Sequence, residues 1–270
     1  MNRRAFIASS LAGSALAMAD SSPIPGQATA QTPSPENSRE YYELRRYELS
    51  SGPAVKLAHS FFQDALIPAA NRLGLRPVGA FNTVVGPNSP TIYILLPSTS
   101  LETLVLIDSR LAADSEYLKA GSAFLEAPAS SPAYNRVESS LMIAFEGWPR
   151  IQAPAAAQSQ SRIFELRTYE SPSDRDHVRK VEMFNSGEFE IFHHAGFRSV
   201  FFGDTLVGSR LPNLTYMLAF DDLAEREKLW STFGSLPEWK KLSSSSRYAF
   251  EEIVSSITNL ILSPTPYSQI

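Results

Sequence analysis

FELRTYE, residues Phe164–Glu170, alternates like a β-strand, and YELRRYE at Tyr42–Glu48 has already used the pattern Glu-Leu-Arg-x-Tyr-Glu, 122 residues earlier. Working outward from the pair, the same offset aligns Phe62 with Phe184, Gly74 with Gly196, Arg76 with Arg198 and Val78 with Val200. It also aligns Val85-Gly86 with Val207-Gly208, Pro90 with Pro212, and Glu116-Tyr117 with Glu238-Trp239. Glycines and turn prolines held in step over so long a stretch mark a tandem duplication. The first unit spans residues 40–148, the second 162–270, and the Pro/Ala/Gln/Ser-rich residues 149–161 read as the linker between them.

Both units show one order of elements. An opening strand leads into a long helix, about residues 54–73 and 174–195, in which Val55, Ala58, Phe62, Leu66, Ala69 and Leu73 form an apolar stripe at helical spacing. Gly74 and Gly196 stand where a C-terminal cap glycine is expected. Two strands joined by a Gly/Pro-bearing turn follow, then a second helical region from Ser100 or Asp221. A closing strand falls near residues 137–145 and 252–261. The order βαββαβ is that of a ferredoxin-like α+β unit, a sheet with two helices on one face. The other face is left bare, and a second copy in the same chain is the simplest cover. The expected architecture is two such units packed sheet to sheet.

The YELR-x-Y opening, the Gly-Pro or Gly-Ser turn between the middle strands, and FDDLAEREKLWSTFGSLPEWKKL at Phe220–Leu242 resemble the NIPSNAP family, of the dimeric α/β-barrel group. The resemblance covers both units and is clearer in the second. In the first, LPSTSLETLVLIDSRLAADSEYLKAG stands in place of the longer helix and its Pro-Glu-Trp ending. The resemblance implies that the two units form an intramolecular dimeric α/β barrel. It also implies an interaction role, as for mitochondrial NIPSNAP proteins, or, from the wider group, a cofactor-independent or haem-dependent monooxygenase or isomerase.

Composition narrows the chemistry. The chain has no cysteine, which excludes disulfides, thiolate nucleophiles and Cys-built metal centres. Its 24 basic and 28 acidic side chains carry no basic stripe, so no nucleic-acid partner is expected. The first residues, MNRRAFIASSLAGSALAMA, combine Arg3-Arg4 with a mild apolar run and an Ala17-Met18-Ala19 ending. They read as an export signal of twin-arginine type over residues 1–19, with a second candidate cleavage point after Ala30, and imply a periplasmic location. The run is too short for a membrane span, and none is expected in the mature chain. Residues 20–39, rich in Ser, Pro, Gln and Thr, read as a disordered tether.

Alternation on the opening strands places Glu43, Arg45 and Tyr47, with Glu165, Arg167 and Tyr169, on one face. That face is expected to be the barrel interior, leaving Tyr42, Leu44, Phe164 and Leu166 for the helices. A guanidinium fork, a carboxylate and a phenol together suit a small polar ligand or acid–base chemistry on a carbonyl. The alternative is that Glu and Arg, two residues apart, neutralise each other. Relatives in the wider barrel group bind haem through a helix histidine, which keeps His193 and His194 as low-ranked haem or metal candidates. Nothing near His59 in the sequence marks a partner. No dinucleotide, P-loop or nucleophile-elbow motif occurs, and neither a cofactor nor a metal is expected. The expected function is binding of a small, largely apolar ligand or a protein partner, with a small-molecule enzyme or an interaction module as the alternatives.

Overall fold

A computed structural model describes residues 39–154 and 162–270. The export signal, the tether as far as residue 38, and residues 155–161 of the linker lie outside the described residues. In the first unit β1 (Tyr41–Glu48) is followed by α1 (Pro53–Phe61) and α2 (Ile67–Arg72), then β2 (Gly79–Val85) and β3 (Thr91–Ser98). Three short helices come next, α3 (Leu101–Val105), α4 (Ile107–Leu111) and α5 (Ser115–Leu125), before β4 (Arg136–Ala144). The second unit runs β5 (Ile163–Glu170), α6 (Asp174–Met183), α7 (Phe189–Ala195), β6 (Arg198–Val207) and β7 (Asn213–Phe220). It ends with α8 (Leu223–Ser235), α9 (Pro237–Ser243), α10 (Phe250–Ile253) and β8 (Ser256–Pro264). The closing strand thus starts later than its expected position near residue 252, because Phe250–Ile253 turns once as a helix first.

The duplication extends to local irregularities. Each long helix is interrupted by a π turn at the same aligned place, Phe62–Leu66 and Phe184–Glu188. Gly74 and Gly196 both end their helices at positive φ, 82° and 88°. In the hairpin turns Asn88 and Arg210, again aligned, share a φ of 58°.

The eight strands close into one antiparallel barrel in the order β1-β3-β2-β8-β5-β7-β6-β4. Each unit contributes four neighbouring strands, and the seams are the pairs β2–β8 and β4–β6. Closure removes the unpaired edges that a lone four-stranded sheet would expose. The C-terminus strengthens the first seam: Gln269 donates its backbone N–H to Val78 O, its side chain accepts from Val78 N, and Ile270 is buried in the barrel. His59, with no evident partner in sequence, is hydrogen-bonded 2.7 Å from Tyr267 of the other unit, and burial lowers its pKa. Residues read as linker take part as well, since Pro149 O accepts from Glu40 N, and Gln152 N donates to Val200 O. Among the described residues no helix is long and apolar enough to cross a membrane.

Candidate functional site

The barrel interior is packed with Tyr42, Leu44, Phe81, Leu95, Met142, Phe164, Leu166, Phe201, Met217 and Leu262. This reverses the expected facing of the opening strands. Alternation holds, but Tyr42, Leu44, Phe164 and Leu166 point inward, while Glu43, Arg45, Tyr47, Glu165, Arg167 and Tyr169 lie between sheet and helices. The physical reason is partnership. Within the barrel the two units meet through apolar rings, such as Tyr42 on Phe201 and Phe81 on Phe164. The helices supply the polar groups that buried charges require.

In the first unit Arg45 grips Glu43 through Nε (2.8 Å) and Nη2 (3.0 Å), and its Nη1 donates to Asp108 on α4 (2.9 Å). Ser139 on β4 adds a hydroxyl donor to Glu43. The residues between Ser100 and Leu125 form three short helices rather than one. Ser100 caps α3, and Asp114 caps α5 by accepting from the Glu116 and Tyr117 N–H groups, both at 3.0 Å. These breaks leave a cavity of about 450 Å³ lined by Arg45, Tyr47, Phe61, Asp108, Tyr117, Phe124 and Tyr134, with Leu118, Leu125 and Val137 at its edge. Burial raises the pKa of Tyr47, and it pushes Tyr117 up to about 12, helped by the nearby Tyr47 and Asp108. Both phenols therefore keep their protons at neutral pH. Burial works against the Arg45 charge, but Glu43 and its other partners more than offset this, so the guanidinium stays protonated.

The second unit repeats the strand residues and fills the cleft. Asp222 caps α8, accepting from Glu225 N, and this single continuous helix places Arg226 and Trp230 one turn apart on the same face. Arg226 Nη2 (2.6 Å) and Trp230 Nε1 (2.7 Å) both donate to Glu165, which is fully buried, and Arg167 adds a third bond at 2.9 Å. The Trp230 ring lies 4.2 Å from the Arg167 guanidinium carbon. Arg167 and Tyr216 both donate to the Tyr169 hydroxyl, at 3.0 and 2.8 Å. Below them Lys180 Nζ meets Glu188 at 2.6 Å, the pair sealed from solvent among Tyr169, Phe184 and Phe250. Burial pushes the Lys180 pKa down and that of Glu188 up, and their mutual attraction opposes both shifts.

Sequence reading therefore brought together the two strand triads but missed what completes them. Asp108, Arg226, Trp230, Lys180 and Glu188 were not marked. A signal existed for the last two: at the repeat offset they replace Ala58 and Leu66, two members of the apolar stripe. Charges on a buried stripe must find each other. His193 and His194 are at the exposed end of α7, where His194 Nδ1 stands 3.7 Å from the Glu238 carboxylate. Among the described residues no group of three or more His, Cys, Asp or Glu side chains could hold a metal ion.

The barrel and its sheet–helix clefts define the class: a dimeric α/β-barrel protein whose two halves are joined in one chain. Within it, residues 164–269, nearly all of the second unit, match the NIPSNAP family model. The chain is similar in fold to a candidate monooxygenase of Fusobacterium nucleatum, with a TM-score of 0.56 and 10% identity over 84% of this chain and 93% of the other. A candidate monooxygenase of Lactobacillus acidophilus is similar too, with a TM-score of 0.56 and 7% identity over 84% and 94%. An uncharacterised NIPSNAP-like domain protein of Burkholderia xenovorans is 20% identical over 41% of this chain and 90% of its own, with a TM-score of 0.37. No curated protein matches the sequence.

Proposed function

We propose that the chain binds a small, largely aromatic or apolar molecule in the sheet–helix cleft of its first unit. The observation that carries this reading is the cavity of about 450 Å³ over Arg45 and Tyr47. Its volume falls in the range of ordinary ligand pockets, and it joins apolar walls to a few convergent polar groups. Arg45, Tyr47, Asp108 and Tyr117 supply those groups. The Tyr47 hydroxyl lacks the second phenol that Tyr216 gives Tyr169, because Ile94 holds the aligned position. Side chains fill most of the barrel interior, and the space of about 80 Å³ left beside Leu44, Arg46 and Leu166 is too small for such a molecule, so the binding expected there belongs to the cleft instead. The second unit serves as the fixed half of the scaffold. Export through the segment at residues 1–19 would place this binding in the periplasm.

Native mass spectrometry on protein purified from its own export route, with a parallel absorption spectrum, tests the reading. A stoichiometric extra mass is expected, lost when Leu118→Trp blocks the cavity edge. Tyr47→Phe is expected to weaken binding of that molecule about fivefold, on the scale of one neutral hydrogen bond, and Tyr169→Phe to leave it unchanged. A bound mass that survives Leu118→Trp would overturn the assignment, as would a protein that stays bare.

A further inference from the structure

We infer that the molecule held in the first unit's cleft carries an organic ammonium group, an inference that rests on the binding reading above and specifies its ligand. Two independent observations support it. The first is charge. Both Glu43 oxygens are engaged by Arg45, so that pair is internally matched, and Asp108 leaves the three groups with a formal charge of −1. Asp108 meets Arg45 through Oδ1 alone, and its side chain is 78% exposed, which leaves Oδ2 open to a ligand. The surrounding wall is rich in rings: Tyr47 packs edge-on to Phe124 and Tyr134, and Phe61 stacks on Phe124 with centroids 4.0 Å apart. Aromatic faces beside a carboxylate that is not fully matched attract a cation and exclude an anion.

The second observation is the chain's own second unit, where an ammonium already occupies such surroundings. Lys180 Nζ lies 4.2 Å from the centroid of Phe184, 5.0 Å from Phe250 and 5.5 Å from Tyr169, with Glu188 as counter-charge. Tyr169 and Phe184 align with Tyr47 and Phe62, which pack on each other at 4.9 Å in the first unit. Lys180 aligns with Ala58. In the second unit Trp230 closes the cleft above that ammonium; in the first, Asp108 holds the aligned position and the cavity is bordered by Tyr47, with Phe62 buried against it. Arg45 does not oppose this assignment, since its charge is spent on Glu43 and Asp108.

The test is isothermal titration of the full chain with three molecules of one shape: 4-phenylbutylamine, 4-phenylbutanol and 4-phenylbutyrate. The amine is expected to bind about tenfold tighter than the alcohol, the scale of a cation–π contact combined with a charge-assisted hydrogen bond. The carboxylate is expected to bind weakest. In Asp108→Asn, whose amide oxygen still accepts from Arg45, the preference for amine over alcohol should shrink to the two- to fivefold, roughly, that a cation–π contact alone supplies. Equal affinity for amine and alcohol, or an amine preference undiminished in Asp108→Asn, would overturn the ammonium assignment and leave small-molecule binding standing. No binding by any of the three, in protein that also carries no mass of its own, would overturn both.

Discussion

The two units of this chain carry the same strand triad and use it differently. In the first, Glu43 and Arg45 hold each other, Asp108 reaches in from an exposed short helix, and a cavity remains. In the second, Glu165 is closed over by Arg226 and Trp230 from one unbroken helix, and a buried Lys180–Glu188 pair replaces two apolar residues. The difference teaches that a duplicated charged strand need not imply a duplicated site. Whether the triad faces a ligand or is only neutralised is decided by what the covering helices bring to it. Position 108 of the first unit and its aligned residue Trp230 show this in one pair: an aspartate at the cleft entrance against an indole that plugs it.

The comparison assumes that the units are equal partners in one barrel, and the largest expected effect tests that. Either unit expressed alone leaves both seam strands unpaired and its inner apolar face bare. Each should dimerise or aggregate when examined by size-exclusion chromatography with light scattering. A half that stays folded and monomeric would end the single-barrel account. Next in size is the buried ion pair. Lys180→Met leaves Glu188 buried without its partner and should cost about 3–5 kcal/mol in urea denaturation, whereas Lys180→Ala with Glu188→Leu, the first unit's own residues, should recover most of that loss. A double variant as unstable as the single one would mean that the second unit depends on this charge pair for more than neutrality.

The smallest effect is on alkaline stability. The Tyr117 and Tyr267 pKa values are both pushed up to about 12 by burial, and burial also raises those of Tyr47, Tyr169 and Tyr216. Because these pKa values are higher in the folded chain, their contribution is complete below pH 10. It is lost as pH rises from about 10, where the unfolded phenols ionise, toward the folded values. The urea midpoint should therefore fall between pH 10 and 12, and Tyr117→Phe should make that decline slightly shallower. An unchanged slope in Tyr117→Phe would show that this phenol is already open to water, and that the first unit's cavity is wetter than its lining indicates.

Much of the architecture was legible because its signals are local or periodic. The offset of 122 aligned glycines at helix ends, prolines in turns and alternating strands, and each of these residue types has a backbone reason for its place. The NIPSNAP resemblance was clear where Phe220–Leu242 forms the longer α8–α9 region and weaker where α3–α5 is broken. Alternation along Tyr42–Glu48 also showed which residues share a face, but it could not say which face is the barrel's. Both faces are covered, one by helices and one by the other unit, so polarity alone gave the wrong answer. Arg226 and Trp230 lie more than sixty residues from Glu165, and Tyr267 lies 208 residues from His59; sequence spacing carries no trace of such contacts.

By itself, then, the sequence determined a duplicated βαββαβ chain with cysteine-free chemistry, because repeat period, side-chain alternation and composition act residue by residue. Tertiary structure alone decided that the charged faces turn toward the helices, that one cleft is open and its twin is plugged, and that a lysine and a glutamate are buried together. Those outcomes depend on which distant side chains arrive at a shared space and on whether buried charge finds a partner there. No local pattern encodes that.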